Sequence, residues 1–201
     1  MKKTNKGWDN VSVEQFNALT MAFNAQTSDE EKFDKVINII YGIEHPENLP
    51  LNQYAETLKQ IQFIKEPIKP IRITNHYTIN GRDYTLQTEM DSFSTAQYID
   101  LTNYAKNPNK QYQEILSVVL IPDNAKGYND GYSIKGVQDD ILAMDIQTAF
   151  SIATFFLTNC KRFTKIFLRY LTHQLKGMKG KKAERMAKTL SHLQTLFSNL
   201  E

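Results

Sequence analysis

The sequence predicts a mainly α-helical protein of the α+β kind: two three-helix units separated by a β-hairpin, followed by C-terminal helices. Three observations carry that reading. Apolar residues recur at helical spacing along most of the chain. A helix-start signature, Ser-x-x-Gln followed by an aromatic, occurs twice, at Ser12-x-x-Gln15-Phe16 and Ser94-x-x-Gln97-Tyr98. Between them Asn80-Gly81 separates two strand-like runs, the strongest short hairpin signal because both turn residues need positive φ.

The elements follow in order. Ser12 caps the free backbone N–H groups of a first helix, Gln15 reaches back to the cap residue, and Val11 packs on Phe16. This helix carries Phe16, Leu19 and Phe23 on one face. A second helix starts at Ser28, with Asp29, Glu30 and Glu31 in its first turn, where the helix dipole favours anions. It runs through Val36, Ile37, Ile39 and Ile40 and stops at Gly42. Pro46 and Pro50 frame a turn, and Asn52 opens a third helix with Tyr54, Leu58 and Ile61. After Pro67 and Pro70, the run from Ile71 to Ile79 reads as a strand, and Arg82 to Leu86 as its hairpin partner. A two-residue turn sets Tyr77 opposite Tyr84.

The first pattern then returns. Ser12-x-x-Gln15-Phe16-x-x-Leu19 matches Ser94-x-x-Gln97-Tyr98-x-x-Leu101. Asn107-Pro108 suits a cap followed by a first-turn proline. The next helix carries Ile115, Leu116, Val118, Val119 and Leu120, echoing the run from Val36 to Ile40. A loop with Gly127, Gly131 and Gly136 leads to Leu142-Ala143-Met144-Asp145, which echoes Leu49-Pro50-Leu51-Asn52 before another helix. Duplication of a three-helix unit explains the echo; chance recurrence of a common capping signal is the rival reading. The organisation is then an N-terminal helical unit over 1–66, a hairpin over 67–90, a second helical unit over 91–176 and a basic amphipathic helix over 177–201. Lys161 to Leu175 carries Phe163, Ile166, Phe167, Tyr170 and Leu171. Beyond Gly177 and Gly180, the last segment sets Met186, Leu190, Leu193, Leu196 and Phe197 at helical spacing.

Composition bounds the function classes. At 201 residues with 41% hydrophobic and 23% charged side chains, the chain can bury a core and does not read as disordered. A single cysteine, Cys160, excludes an intrachain disulfide. The first residues have a basic flank but no apolar run behind it, so no signal peptide is expected. The apolar stretch from Ala149 to Leu157 is too short to span a bilayer. A cytoplasmic protein is the default. Net charge is only +2 but unevenly spread: ten of the 24 Lys and Arg lie from Lys161 onward, against Glu184 and Glu201 alone. Such asymmetry points to an interaction tail.

Candidate chemistry is sparse. His45, His76, His173 and His192 are scattered without a neighbouring Cys or His, which metal ligation needs. Cys160 follows an apolar run and reads as a packed thiol. The three loop glycines lack P-loop spacing and its Lys-Ser/Thr. Asp139, Asp140 and Asp145 are explained by a solvated pair and a helix cap more simply than by a Mg²⁺ site. Lys176, Lys179, Lys181, Lys182, Arg185 and Lys188 could neutralise phosphates. A solvated helix face is the simpler account, so nucleic-acid binding is the rival from another class. No catalytic residue, cofactor or metal is expected. The expected partner-binding residues are Met186, Leu190, Leu193, Phe197, Lys181, Lys182 and Arg185.

The order of features also carries a resemblance. Trp-x-x-Val-Ser-Val-x-Gln-Phe from Trp8 comes first, then the Ile-Asn-Gly-Arg-Asp-Tyr hairpin. Phe-Ser-Thr-Ala-Gln-Tyr-Ile-Asp-Leu follows, then the Ile-Leu-Ser-Val-Val-Leu-Ile-Pro run and the Phe-Phe-Leu helix. Over Trp8 to Leu175 this pattern resembles morphogenesis proteins of tailed bacteriophages, especially the tail assembly or baseplate chaperone-like group of gut Bacteroidetes phages. The resemblance implies a non-enzymatic protein that guards an aggregation-prone tail component such as the tape-measure protein. It implies the host cytoplasm, or the virion, as the location. The hairpin and duplication depart from a minimal helical chaperone and leave room for a virion structural component, a head–tail connector or a tail ring or baseplate part. Homo-oligomerisation is left open.

Overall fold

The computed structural model describes residues 7–105, 112–176 and 180; within 160–176 it describes the helical backbone, with side chains at Arg162 and Thr172 only. Among these residues are seven α-helices and one three-stranded sheet, the mainly α arrangement expected.

Helix α1 (Val13–Asn24) begins with the anticipated capping box. Ser12 Oγ accepts from the Gln15 N–H, and the Gln15 side chain accepts from the Ser12 N–H. Leu19 and Ala22 are buried along it, whereas Phe23 is 44% exposed, so the buried line passes through Ala22. Helix α2 (Asp29–Tyr41) is capped by Ser28 and ends at Gly42, whose φ of +68° is a left-handed conformation that suits glycine. Helix α3 (Leu51–Gln60) starts ahead of Asn52: Pro50 takes the cap position and the N–H groups of Gln53 and Tyr54 bond to its carbonyl. Trp8 Nε1 donates to the Glu66 carbonyl while its ring meets Phe16 and Phe63 edge-on, closing the first three helices together.

Strands β1 (His76–Ile79) and β2 (Arg82–Leu86) form the hairpin in the expected register, Tyr77 opposite Tyr84. Asn80 (φ 52°) and Gly81 (φ 74°) make the turn. Strand β1 is shorter than its apolar run. The Leu86 N–H at the end of β2 still donates to the Asn75 carbonyl, and ahead of it the chain is held by helix α7 (Ile146–Lys176): the Ile71 N–H donates to Ser151 Oγ, and Gln147 Nε2 donates to the Lys69 carbonyl.

Helix α4 (Thr95–Ala105) opens with the Gln97 N–H donating to Ser94 Oγ. The expected Asn107-Pro108 cap lies outside the described residues. Helix α5 (Tyr112–Val119) buries every side chain from Ile115 to Val119, the mark of a helix enclosed on all sides. Leu120 is not helical: Leu120–Pro122 forms strand β3, antiparallel to β2. A fully apolar run carries neither the 3.6 nor the 2 period, so sequence could not place that boundary. The glycine-bearing segment expected as loop contains helix α6 (Ile134–Ile141), capped by Ser133, with Gly136 inside it and Val137 and Ile141 buried. Helix α7 is continuous over 31 residues.

One core runs through the described residues. It includes Val13 and Leu19 of α1, Val36, Ile37 and Ile40 of α2, Tyr84 and Leu86 of β2, Leu101 of α4, the apolar run of α5, Ile141 of α6 and Ile152 and Phe156 of α7. The starts of α1 and α7 are bonded backbone to backbone, Val13 N–H to the Met144 carbonyl and Ile146 N–H to the Val11 carbonyl. The echo seen in sequence has a structural counterpart. Gln15 Nε2 donates to the Ile39 carbonyl at 2.9 Å, and Gln97 Nε2 to the Val118 carbonyl at 2.8 Å. Those two carbonyls occupy matching positions of the Val36–Ile40 and Ile115–Val119 runs.

Candidate protein-docking groove

The groove is built from α1, α2 and the turn that follows α2. Ala18, Met21 and Ala22 of α1, with Ala25 just past its end, recur at three- and four-residue intervals and line one side. Three alanines leave the trough open, and Met21 stands at its side 74% exposed. Asp34, Lys35, Asn38 and Ile39 line it from α2. The third side comes from Glu44, Pro46 and Glu47. This segment is held in place because Gly42 turns the chain and Asn38 Nδ2 donates to the Ile43 carbonyl, while Pro46 is buried. The open groove has a volume of about 520 Å³. Phe23 and Phe33, on the same two helices, are also exposed.

The rim is acidic. Tyr54 donates from its hydroxyl to Asp34 Oδ1 at 3.0 Å, fixing that carboxylate at the groove wall. Burial, then the bond to Asp34, pushes the Tyr54 hydroxyl up to about 12. Glu47 is held below the usual carboxylate range by its own backbone N–H and next by His45, whose ring nitrogen lies 3.0 Å away. Three carboxylates therefore surround the trough against the single ammonium of Lys35.

A second polar cluster lies at the hairpin. Asp140 of α6, 7% exposed, accepts from Tyr84 Oη at 2.5 Å, Arg82 at 3.0 Å and Asn80 at 3.3 Å. Burial, then the bond to Asp140, pushes the Tyr84 hydroxyl well above its ordinary value. This clasp ties the hairpin to α6. A small cavity of about 200 Å³ beside it is lined by Tyr77, Ile79, Met144 and Thr148 among others. The other two aspartates considered together with Asp140 are elsewhere employed: Asp139 pairs with Lys135, and Asp145 caps α7 through the Thr148 N–H. His45 bonds to Glu47, and His76 lies on the exposed side of the sheet, 3.3 Å from Thr85 Oγ1. Among the described residues no group of three or more His, Cys, Asp or Glu is placed to hold a metal ion, and no helix is long and apolar enough to cross a membrane.

The residues expected to bind a partner, Lys181, Lys182, Arg185, Met186, Leu190, Leu193 and Phe197, lie outside the described residues, as does the His192 side chain. The α1–α2 groove was not anticipated from sequence. Its signal was present in the spacing Ala18-x-x-Met21-Ala22-x-x-Ala25, but alanines at helical spacing read equally as close packing. No family model matches the chain, and no curated protein or solved structure matches it.

Proposed function

We propose that the protein is a bacteriophage tail assembly chaperone-like protein that holds an aggregation-prone tail component, such as the tape-measure protein, in the host cytoplasm. The observation that carries the reading is the α1–α2 groove, a trough with Met21 exposed beside it and acidic side chains around it. A trough between packed helices takes the apolar stripe of a partner helix, and an unbranched methionine adapts to different partners. The phage setting rests on the sequence resemblance. The titratable groups in the hairpin clasp are engaged in holding β1–β2 to α6, and this arrangement supports a binding rather than a catalytic role.

Co-expression with the tape-measure protein of the same phage tests the reading. A soluble complex is expected, and Met21→Asp should return the tape-measure protein to the insoluble fraction. Unchanged solubility with the wild-type chain present refutes it. A virion structural role is the second reading, favoured by the sheet and by helix α6, which a minimal helical holdase does not need. Mass spectrometry of purified particles separates the two, because a chaperone is absent from finished virions.

A further inference from the structure

We propose that the partner helix seated in the α1–α2 groove is cationic: a stretch of about two turns whose large apolar side chains are flanked on one side by Lys or Arg. The inference rests on the docking role given to the groove above, and adds the chemistry by which the groove selects its occupant.

Length and depth come from the α1 side. Ala18, Met21, Ala22 and Ala25 line the groove over a stretch of about 10 Å, two helical turns. An occupant meets this side with the side chains of one heptad, at i, i+3 or i+4, and i+7. The methyl groups of the three alanines do not fill the space between packed helices. The anchors that enter must therefore be large, such as leucine, methionine or phenylalanine.

Charge is confined to the other side. The four residues from α1 and its end are uncharged, whereas Asp34 of α2 and Glu44 and Glu47 of the following turn are carboxylates. Glu30 stands one helical turn before Asp34 on α2. Among the described residues neither Asp34 nor Glu44 has an ion-pair partner, and Glu47 is paired with His45. In the free protein water solvates these like charges. A neutral helix laid beside them would remove that water and return nothing, and an acidic one would add repulsion. Lys or Arg compensates for the lost water: the long stem lies along the apolar stripe and the charged head reaches the carboxylates. Because the carboxylates stand on one side only, the cations belong on one flank of the stripe and the apolar contact with α1 on the other.

Fluorescence anisotropy of the full chain with two labelled peptides of about 18 residues tests the inference, the length being enough for a helix to form. Both peptides carry the same leucine stripe; lysine flanks it in one and glutamate in the other. The lysine peptide should bind about tenfold more tightly or better, and the margin should shrink as salt rises. Glu44→Lys with Glu47→Lys, two exposed positions, should reverse the order, so that the glutamate peptide binds more tightly. A gain of that kind does not come from misfolding. Equal binding of the two peptides, binding of neither, or a preference that the substitutions leave unchanged overturns the inference, even with the tape-measure protein kept soluble. A tape-measure protein left insoluble while the lysine peptide wins and the reversal holds refutes the tail role and supports this inference.

Discussion

Removing the Asp140 carboxylate should loosen the hairpin from the helical body by an amount that the clasp geometry sets. Asp140 accepts three hydrogen bonds, and the two ends of its bond to Tyr84 are 7% and 1% exposed. In Asp140→Ala the Tyr84 hydroxyl keeps its burial and loses its acceptor, a cost of about 1–3 kcal/mol. The Arg82 side chain is 66% exposed and rehydrates, so its lost ion pair adds only about 0–1 kcal/mol. The single variant should therefore lose about 1–4 kcal/mol in total. Tyr84→Phe leaves Asp140 with Arg82 and Asn80 and should cost less, about 1–2 kcal/mol. The double variant strands neither partner. Its loss should fall short of the sum of the single losses by about 1 kcal/mol or more. Urea unfolding monitored by circular dichroism measures all three, provided that the slope with denaturant is unchanged. Additivity within about 0.5 kcal/mol would refute the idea that Tyr84 and Asp140 act as one unit.

Two further outcomes are expected. Ser12→Ala and Ser94→Ala should each cost about 0.5–2 kcal/mol in the same melts, because each hydroxyl accepts from the N–H of the glutamine three residues on; no loss at either position would contradict the cap assignments. At high pH the protein should weaken. Tyr54 is raised to about 12, and Tyr84 and Tyr128 are also raised, the latter by burial and then by its bond to Asp100. The folded protein keeps phenolic protons that the unfolded chain releases near pH 10, so this contribution is complete below that pH and is lost as pH rises through about 12. Phenolate absorbance should therefore develop at higher pH in the folded than in the urea-unfolded protein, and coincident titration curves would rule this out.

Local signals in the sequence were strong where one residue type meets one backbone requirement. Ser12, Ser28 and Gly42 marked helix ends because unpaired backbone groups need a hydroxyl or a left-handed turn there. Asn80-Gly81 set the hairpin register for the same kind of reason. Signals failed where tertiary contacts decide. The strand character of Leu120 depends on β2 lying beside it, and the path of the chain at Lys69 and Ile71 is set by Gln147 and Ser151 of α7. Helix α6 was hidden because Gly136 lowers helix propensity by about 1 kcal/mol, an amount that burial of Val137 and Ile141 readily overrides. The acidic groove was illegible for another reason. Asp34, Glu44 and Glu47 are separated along the chain, and only the return of the 44–47 segment over α2 brings them to one rim.

The direct passage from Val119, the last helical residue of α5, to Leu120, the first of β3, has a mechanical consequence. With no spacer to absorb slack, the pitch of a buried helix is geared to the pairing phase of a strand. Adding or deleting one residue at that junction would either rotate the helix by about 100° inside the core or swap which of Leu120 and Ile121 points inward. The joint can therefore exchange side chains but cannot absorb a change of length, which a segment such as the glycine-bearing stretch before α6 can.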